Sequence, residues 1–389
     1  MKVNPRQLLD DGYIVIRECV PREQLDSLRN HYETLVKRQG GESWLAASAQ
    51  PRLEADRLVD ETTADTVEIW LHENTLGVSQ QLLCHPEAGV TRMWMMCSPT
   101  DDHGPSNWHR DVHPIDMAPL RALQMDMVEN MPRYLQWNIP LYDDDVFWVV
   151  PGSHRRLNTD AENQQLLDDP RVPLPDSIPV ELKAGDGVVY SNFLLHWGSN
   201  YSKKLRRTLH GGHSIFTYYQ DLVFTESLSP AAREAFEGWG RRSATLQNLT
   251  ESALRAIIVR DAGAYIEALE GIQPGAGEMG KLVLTIFLCK AAYHVHILKR
   301  SDFDSLPDEV RRRAGEEHMI TLNWGPEFSN RFSQVEADAL WKRFETLDGK
   351  LQGDEECFVP GFQSGPMRYF FEEMPSNFGL EEFIGSWGT

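Results

Sequence analysis

The sequence predicts a mainly β core of the sandwich or jelly-roll class, with flanking helices and an α-helical C-terminal region. Two sequence patterns support this prediction. Between about residues 90 and 220, short runs rich in β-branched and aromatic residues are separated by Gly, Pro, Asp and Asn, as in all-β domains. After about residue 221, apolar residues recur at helical spacing instead.

The N-terminal segment predicts a short helix at 6–10, a strand at 12–19 and a helix at 22–38. The longer helix follows Pro21, and its apolar residues recur at helical spacing, at Leu25, Leu28, Tyr32, Leu35 and Val36. We therefore expect one domain over 1–225 and a mainly helical region over 226–389. That region would serve as a substrate lid, as a dimer interface or in packing alone.

Composition limits the partners. The formal net charge of −20 argues against nucleic acid or an anionic membrane. The five cysteines are scattered without a CxxC pair, which is typical of buried thiols in a reducing cytoplasm. The N-terminus has no apolar signal core, and the most apolar window, 282–298, is interrupted by Lys290, His294 and His296. We expect a cytoplasmic protein in which this window is a buried helix.

The stretch NWHRDVHP (107–114) carries the clearest chemical signal. On a strand, residues two apart point to the same side, so His109 and Asp111 would project together. Such a pair alone is as well explained by a hydrogen-bonded loop. With a histidine from a later strand it would complete the 2-His-1-carboxylate triad of non-haem iron oxygenases, and His196 is placed for this role.

A basic run, KKLRRTL (203–209), opens the strand that follows His196. An arginine at this point would lie beside the same cavity. A guanidinium group grips a carboxylate with two parallel hydrogen bonds, as a dicarboxylate cosubstrate requires.

Six stretches in order resemble the phytanoyl-CoA dioxygenase family of Fe(II)- and 2-oxoglutarate-dependent oxygenases. They cover roughly the first 220 residues and are DDGYIVIRECVPREQLDSLR, WHRD (108–111), LQWNIPL (135–141), VVPGSHR (149–155), AGDGVVYSNFLLHWGSN (184–200) and RRTLHGGH (206–213). HxD alone is a weak signal, whereas the ordered set is specific. The resemblance implies a double-stranded β-helix core of the jelly-roll, cupin-like type.

The resemblance also implies the site. His109, Asp111 and His196 would bind Fe(II), with 2-oxoglutarate as cosubstrate and O2 as oxidant. Arg207, and not Arg206, falls at the family's spacing for the distal carboxylate of 2-oxoglutarate. Trp137 matches a tryptophan that lines the cosubstrate pocket in some members. The alternation in LQWNI leaves this open, because its two polar residues would face the other way.

The implied activity is hydroxylation of a small organic molecule, with succinate and CO2 as coproducts. Related halogenases replace the carboxylate ligand with a small residue, so Asp111 favours a halide-free oxidation. A natural-product or amino-acid-like substrate is as compatible as a CoA thioester, and a homodimer is an option. One alternative is a catalytically silent relative that binds metal and dicarboxylate as an interaction protein. Another is a cupin-like metal protein that does not use 2-oxoglutarate.

Other residues receive structural roles. We assign no ligand role to His103, His113, His210 or His213, and His154 in PGSH is expected to stabilise a turn. Trp108 and the segment 112–133 are expected to form a lid or an ordinary packed loop. Three features depart from the family pattern: the acidic turn 142–145, Gly198, and the helical region beyond about residue 225, which has no counterpart in it.

Overall fold

The protein divides into two compact units. A computed structural model describes residues 1–40, 51–98, 104–112, 118–199, 205–217, 219, 221–308, 310–311, 326–357, 360–361, 367–369, 373–375 and 378–388. The first unit, here called the strand unit, comprises Met1–Asp111, Met131–Gly240 and Pro360–Gln363. The second, the helical unit, comprises Val112–Asn130, Arg241–Val359 and Ser364–Thr389. The domain boundary predicted near residue 225 stays a prediction, because compactness does not show independent folding.

The strand unit contains two antiparallel sheets. A six-stranded sheet has the order β1-β7-β4-β9-β3-β2, and a three-stranded sheet has the order β6-β5-β8. The strands are β1 Tyr13–Ile16, β2 Arg52–Glu54, β3 Gly89–Cys97, β4 Tyr134–Pro140, β5 Phe147–Val149, β6 Ile178–Pro179, β7 Gly187–Tyr190, β8 His196–Gly198 and β9 Arg207–Ser214.

Alternation along the strands gives the six-stranded sheet two distinct faces. Val188 and Tyr190 of β7 pack against Phe147 and Val149 of the three-stranded sheet in one buried cluster. We call the face of the six-stranded sheet that carries Val188 and Tyr190 the inner face. The strand register then puts Gln136 and the other even-numbered residues of β4 on the inner face, since Gln136 lies opposite Tyr190. Odd-numbered residues of β4 and β9 lie on the outer face.

Helices account for more of the described chain than strands do, so the prediction of a mainly β protein is wrong for the chain as a whole. The strand-like sequence pattern of 90–220 predicted a β core, but helices also interrupt that region. The helices are α1 Pro5–Asp11, α2 Arg22–Gln39, α3 Asp65–Glu68, α4 Val78–Leu82, α5 Leu120–Asn130, α6 Asp160–Asp168, α7 Pro230–Val259, α8 Ala262–Ile272, α9 Glu278–Lys299, α10 Gln334–Leu351 and α11 Leu380–Gly385.

Local sequence explains the first elements. The side chain of Asn4 accepts a hydrogen bond from the backbone of Arg6 and so caps the start of α1. Gly12, at φ 86°, ends the helix in the left-handed conformation. A Cβ at Gly12 would also lie 2.5 Å from Nδ1 of His154, so this turn requires glycine. The predicted helix at 22–38 is confirmed as α2.

The helical unit is built around α9, and the expectation of a buried helix at 282–298 is confirmed. By length and composition α9 would suffice to cross a membrane, but 78% of its most apolar window is buried inside the protein. Helices α5, α8 and α10 contact it. This unit also holds a strand pair, β10 Gln352–Cys357 and β11 Met367–Tyr369. The expectation of buried thiols holds for Cys19, Cys97 and Cys289, whereas Cys84 is exposed.

Candidate metal centre

Backbone pairing brings the predicted ligands together. His109 and His196 form an isolated antiparallel bridge, with the amide of each donating to the carbonyl of the other at 3.0 Å. Two residues on, the amide of Asp111 donates to the carbonyl of Asn192 at 2.9 Å, and Nδ2 of Asn192 donates back to the carbonyl of Asp111 at 3.0 Å. The HxD segment is therefore hydrogen-bonded directly to the segment that carries the third ligand.

The three side chains converge as one donor set. Nε2 of His109 lies 3.5 Å from Oδ1 of Asp111, and Nε2 of His196 lies 3.3 Å from Oδ2 of Asp111. One donor atom from each residue can be chosen so that all three lie within 4.8 Å of one another. Donors at right angles on a metal with bonds of roughly 2.1 Å would be roughly 3 Å apart. The two contacts of Asp111, at 3.5 and 3.3 Å, are close to this spacing for neighbouring ligands of an octahedral ion.

Hydrogen bonds set the tautomer of both histidines. Nδ1 of His109 lies 2.8 Å from the carbonyl of Asn107, and Nδ1 of His196 lies 2.9 Å from the carbonyl of Leu194. A carbonyl oxygen only accepts, so each Nδ1 carries the proton. Each Nε2 then carries the lone pair with which it would bind a metal ion, which is the arrangement that metal-binding histidines adopt.

The electrostatics favour the metal-binding protonation state. Burial lowers the pKa of His109 to about 4, and His196 acts in the same direction. Burial alone would raise the pKa of Asp111, but the neighbouring imidazoles of His196 and His109, with a hydrogen bond from Gln136, hold that pKa well below its ordinary value. The His109 imidazole is therefore neutral and the Asp111 carboxylate is ionised near neutral pH, as ligation requires.

A polar network on the inner face supports the carboxylate. Nε2 of Gln136 donates to Oδ2 of Asp111 at 2.6 Å and lies 3.4 Å from Nε2 of His210. Nδ1 of His210 donates to Oδ1 of Asn138 at 2.8 Å. The chain of donors is consistent, because His210 protonated on Nδ1 keeps Nε2 as an acceptor for the second amide hydrogen of Gln136.

Gln136 also supplies a test of the metal assignment. Its Oε1 is buried and has no hydrogen-bond partner within the described part of the chain. A buried amide oxygen beside the ligands suits a donor held at the metal, such as a coordinated water. The residues present thus fit a ferrous ion. Sequence reasoning gave Gln136 no role, although the alternation in LQWNI already showed that only one of its faces looks inward.

Comparison with known families agrees with this geometry. The family model for phytanoyl-CoA dioxygenase matches residues 8–208, which is more than half of the chain and contains all three ligands. The chain belongs to the phytanoyl-CoA dioxygenase family. It is therefore an Fe(II)/2-oxoglutarate-dependent oxygenase by family, with His109, Asp111 and His196 as its triad. No curated protein sequence shows significant similarity to it.

Several solved structures are similar to the chain. HygX from Streptomyces hygroscopicus, solved with nickel and 2-oxoglutarate bound, is 14% identical at a TM-score of 0.41, and the match covers 57% of this chain and 91% of HygX. The carbocyclase SnoK from nogalamycin biosynthesis is 19% identical at 0.40, covering 58% and 90%. EctD from S. alaskensis, with 2-oxoglutarate and 5-hydroxyectoine, is 14% identical at 0.39, covering 54% and 74%.

The predicted cosubstrate role of Trp137 is not supported in this dioxygenase-family chain. Trp137 is fully buried on the outer face, where its Nε1 donates to Oγ of Ser79 at 2.9 Å. The same hydroxyl lies 2.9 Å from Nδ1 of His213. The neighbouring residue, Gln136, is the one that reaches Asp111. Strand alternation therefore places Trp137 on the side opposite the triad.

Arg207, the residue predicted to bind the distal carboxylate of 2-oxoglutarate, also lies on the face opposite the triad. Its Nε donates to Oε1 of Glu33 on α2 at 2.7 Å, and its side chain is only 8% exposed. Arg207 is an odd-numbered residue of β9 and lies on the outer face, whereas His210 lies on the inner face. Arg206 and Thr208 share the face of His210, because they lie four and two residues before it.

Arg206 and Thr208 form a buried polar site on the inner face. Nε of Arg206 and Oγ1 of Thr208 each donate to Oδ2 of Asp144 at 2.9 Å. Burial would raise the pKa of Asp144, but Arg206 holds it below its ordinary value. The inner face thus carries a buried guanidinium group at Arg206, one position before Arg207.

The remaining predicted residues are structural where they are described. Nε2 of His154 donates to the carbonyl of Leu9 at 3.0 Å, which ties the PGSH turn to α1. Trp108 is buried and stacks on Trp197 with ring centroids 5.3 Å apart, so it belongs to the core and not to a lid. The segment expected to be a lid or a loop contains the helix α5. His103, His113 and residues 114–117 lie outside the described residues.

Proposed function

We propose that the protein hydroxylates a C–H bond of a small organic substrate, with 2-oxoglutarate and O2 converted to succinate and CO2. The observation that carries this proposal is the complete triad, with its carboxylate present and its three donor atoms within 4.8 Å of one another. An aspartate in this position occupies the coordination site that a halide would need, which favours hydroxylation over halogenation.

His109, Asp111 and His196 would hold the iron, and Gln136 would keep one oxygen of Asp111 in place. Bound Fe(II) with its cosubstrate supplies the oxidant for attack on an unactivated carbon. Tyr190 and Phe147 shield one side of His196, with ring centroids 5.2 and 5.7 Å from it. Their apolar rings exclude water from that side of the centre.

We propose Arg206 and Thr208, in place of Arg207, as the residues that bind the distal carboxylate of 2-oxoglutarate. A guanidinium group carries five N–H donors and can hold two carboxylates, so its contact with Asp144 is compatible with this role. Thr208 lies two residues from His210, or roughly 7 Å along the strand. A five-carbon dicarboxylate bound at the metal spans such a distance.

The two sheets of the strand unit are proposed to form the double-stranded β-helix of the family. Their strands are antiparallel, and the buried cluster of Val188, Tyr190, Phe147 and Val149 shows that the sheets face each other. The ligands lie between them, on the bridge from the HxD segment to β8. This position at the inner face suits a shielded reaction centre.

The test is a substrate screen under anaerobic loading with Fe(II) and 2-oxoglutarate, started with O2 and scored by succinate and by product mass. The expected result is substrate-dependent succinate with a mass gain of one oxygen in the product. The variants His109→Ala and Asp111→Ala should abolish both signals. The silent-relative alternative predicts metal and 2-oxoglutarate binding without succinate in any condition.

A further inference from the structure

Two arginines lie over one tryptophan at the edge of the six-stranded sheet. The Cζ atoms of Arg52 on β2 and Arg92 on β3 are 5.4 and 4.5 Å from the ring centroid of Trp94. Both arginines are exposed, and Trp94 is half-buried. Cation–π contact with a tryptophan ring holds a guanidinium group in place without a carboxylate partner.

The strand register connects this cluster to the metal centre. Trp94 lies directly opposite His210, Arg92 opposite Gly212, and Arg52 opposite Met96, so all three share the inner face with His210. His210 in turn touches Gln136, which holds Asp111. Burial lowers the pKa of His210 to about 3, and Arg52 and Arg92 act in the same direction, so their charge reaches the centre.

The charge of the cluster is unusual for this chain. The formal net charge is −20, yet within the described part of the chain neither Arg52 nor Arg92 forms an ion pair with a carboxylate. Glu54, which lies opposite Trp94, pairs with Arg57 instead. Each guanidinium group lies at the same indole ring, so an anion bound beside that ring would be attracted by both positive charges.

We propose that Arg52, Trp94 and Arg92 bind an anionic group of the substrate, a carboxylate or a phosphate, beside the metal centre. This proposal rests on the proposed function and narrows its substrate class. The guanidinium groups bind the anion, and the exposed part of the indole packs against the adjoining carbon skeleton. The oxidised carbon then lies between the anionic group and the metal.

Equilibrium binding tests the proposal without turnover. The protein is loaded anaerobically with Fe(II) and 2-oxoglutarate and titrated calorimetrically with two panels, aryl- and alkyl-carboxylic acids against their primary amides, and phosphate monoesters against their alcohols. We expect anions of one panel to bind about tenfold more tightly than their neutral partners. The panel that shows the preference identifies carboxylate or phosphate.

Variants decide which residues are responsible. Arg52→Gln/Arg92→Gln should remove the preference, Arg52→Lys/Arg92→Lys should restore part of it, and Arg22→Gln, an exposed arginine at the start of α2, should leave it unchanged. Equal affinity for anions and neutral partners in the wild type, including no measurable binding of either, overturns the proposal. So does a preference that persists in the double glutamine variant.

The affinity for 2-oxoglutarate shows whether the cluster of Arg52, Trp94 and Arg92 binds the substrate or the cosubstrate. Loss of that affinity in Arg52→Gln/Arg92→Gln would mean that the cluster binds the cosubstrate, which overturns the substrate role. Succinate formation in the substrate screen is an independent readout. An enzyme that forms succinate only with neutral substrates keeps the proposed function and refutes this inference.

Discussion

Gln136 donates a 2.6 Å hydrogen bond to the very carboxylate, Asp111, that completes the triad. One oxygen of Asp111 is thereby engaged by an amide, which leaves the other oriented for the metal. The amide is in turn oriented by His210 and Asn138. Partners of this kind are responsible for much of a metal site's affinity, because they fix the ligand before the ion arrives.

Replacing Gln136 by leucine should weaken metal binding. The carboxylate would lose its donor in a buried setting, and the expected loss in affinity is about 10- to 100-fold. Titration calorimetry with Mn(II) under anaerobic conditions measures it. Gln164→Leu is the control, since Gln164 makes a similar hydrogen bond to Asp168 on the surface of α6. Equal losses in both variants would contradict the role of Gln136.

Substitution at Arg206 and Arg207 should have opposite effects on the cosubstrate. Arg206→Met should weaken 2-oxoglutarate binding about 10- to 100-fold, because a charge-assisted bidentate contact is lost. Arg207→Met should leave that affinity nearly unchanged and lower stability through the loss of its contact with Glu33. Calorimetry with 2-oxoglutarate on the metal-loaded protein compares them.

A double variant tests whether misfolding, and not the lost guanidinium group, explains a weaker affinity. Arg206→Met leaves the buried carboxylate of Asp144 without its ion-pair partner, and Arg206→Met/Asp144→Asn removes that charge as well. The double variant should fold and still bind 2-oxoglutarate weakly. A loss of affinity confined to Arg207→Met would restore the assignment based on spacing from His196.

His213 should make folding sensitive to acid. Burial lowers its pKa to about 4, while in the unfolded chain the ordinary value applies. Its contribution to stability is complete above about pH 6.5 and is lost as pH falls towards 4, because only the unfolded state takes up the proton there; the loss amounts to about 3 kcal/mol. Urea unfolding at several pH values gives the slope of the free energy of unfolding against pH. For His213→Gln this slope should be smaller than for the wild type by the equivalent of one proton. An identical slope in the two proteins would refute the role of His213 in acid sensitivity.

Two glycines should respond oppositely to alanine. A Cβ at Gly211 would lie 2.1 Å from the backbone oxygen of Arg92 and 2.7 Å from the ring of Trp70, so Gly211→Ala should destabilise the protein by about 3 kcal/mol. Gly349 on α10 has nothing within 4 Å of its would-be Cβ, so Gly349→Ala should stabilise by about 0.5–1 kcal/mol. Thermal unfolding measures both, and a stable Gly211→Ala would contradict the close approach of β9 to β3.

The sequence was sufficient for the triad because the information is local. The two-residue spacing of His109 and Asp111 defines a shared face, and His196 stands in a recognisable strand. The helices after residue 221 were likewise predictable from their period. Helix α5 was missed although Pro119 precedes it as Pro21 precedes α2, because its methionine-rich segment adjoins the HxD motif and was interpreted as a lid or a loop.

The strand faces of Arg207 and Trp137 could not be predicted from the sequence, for a different physical reason. Spacing counted from His196 crosses the connection between β8 and β9, and the length of a connection does not set strand register. Pairing with β3 and β4 sets it, and a shift of one residue exchanges the two faces of a strand. The doublet Arg206–Arg207 offers both choices, and only the three-dimensional register distinguishes them. The same reasoning applies to the neighbours Gln136 and Trp137.

The mutual backbone hydrogen bonds of His109 and His196 have a consequence for cofactor loading. Since main-chain hydrogen bonds join the two histidine-bearing segments, folding of the polypeptide itself brings the two imidazoles together, with ring centroids 4.3 Å apart. Iron acquisition then demands no rearrangement of the scaffold. A redox-inert surrogate ion would bind to the same three side chains without supporting turnover. Complexes of the protein with that ion and 2-oxoglutarate could then be crystallised in air.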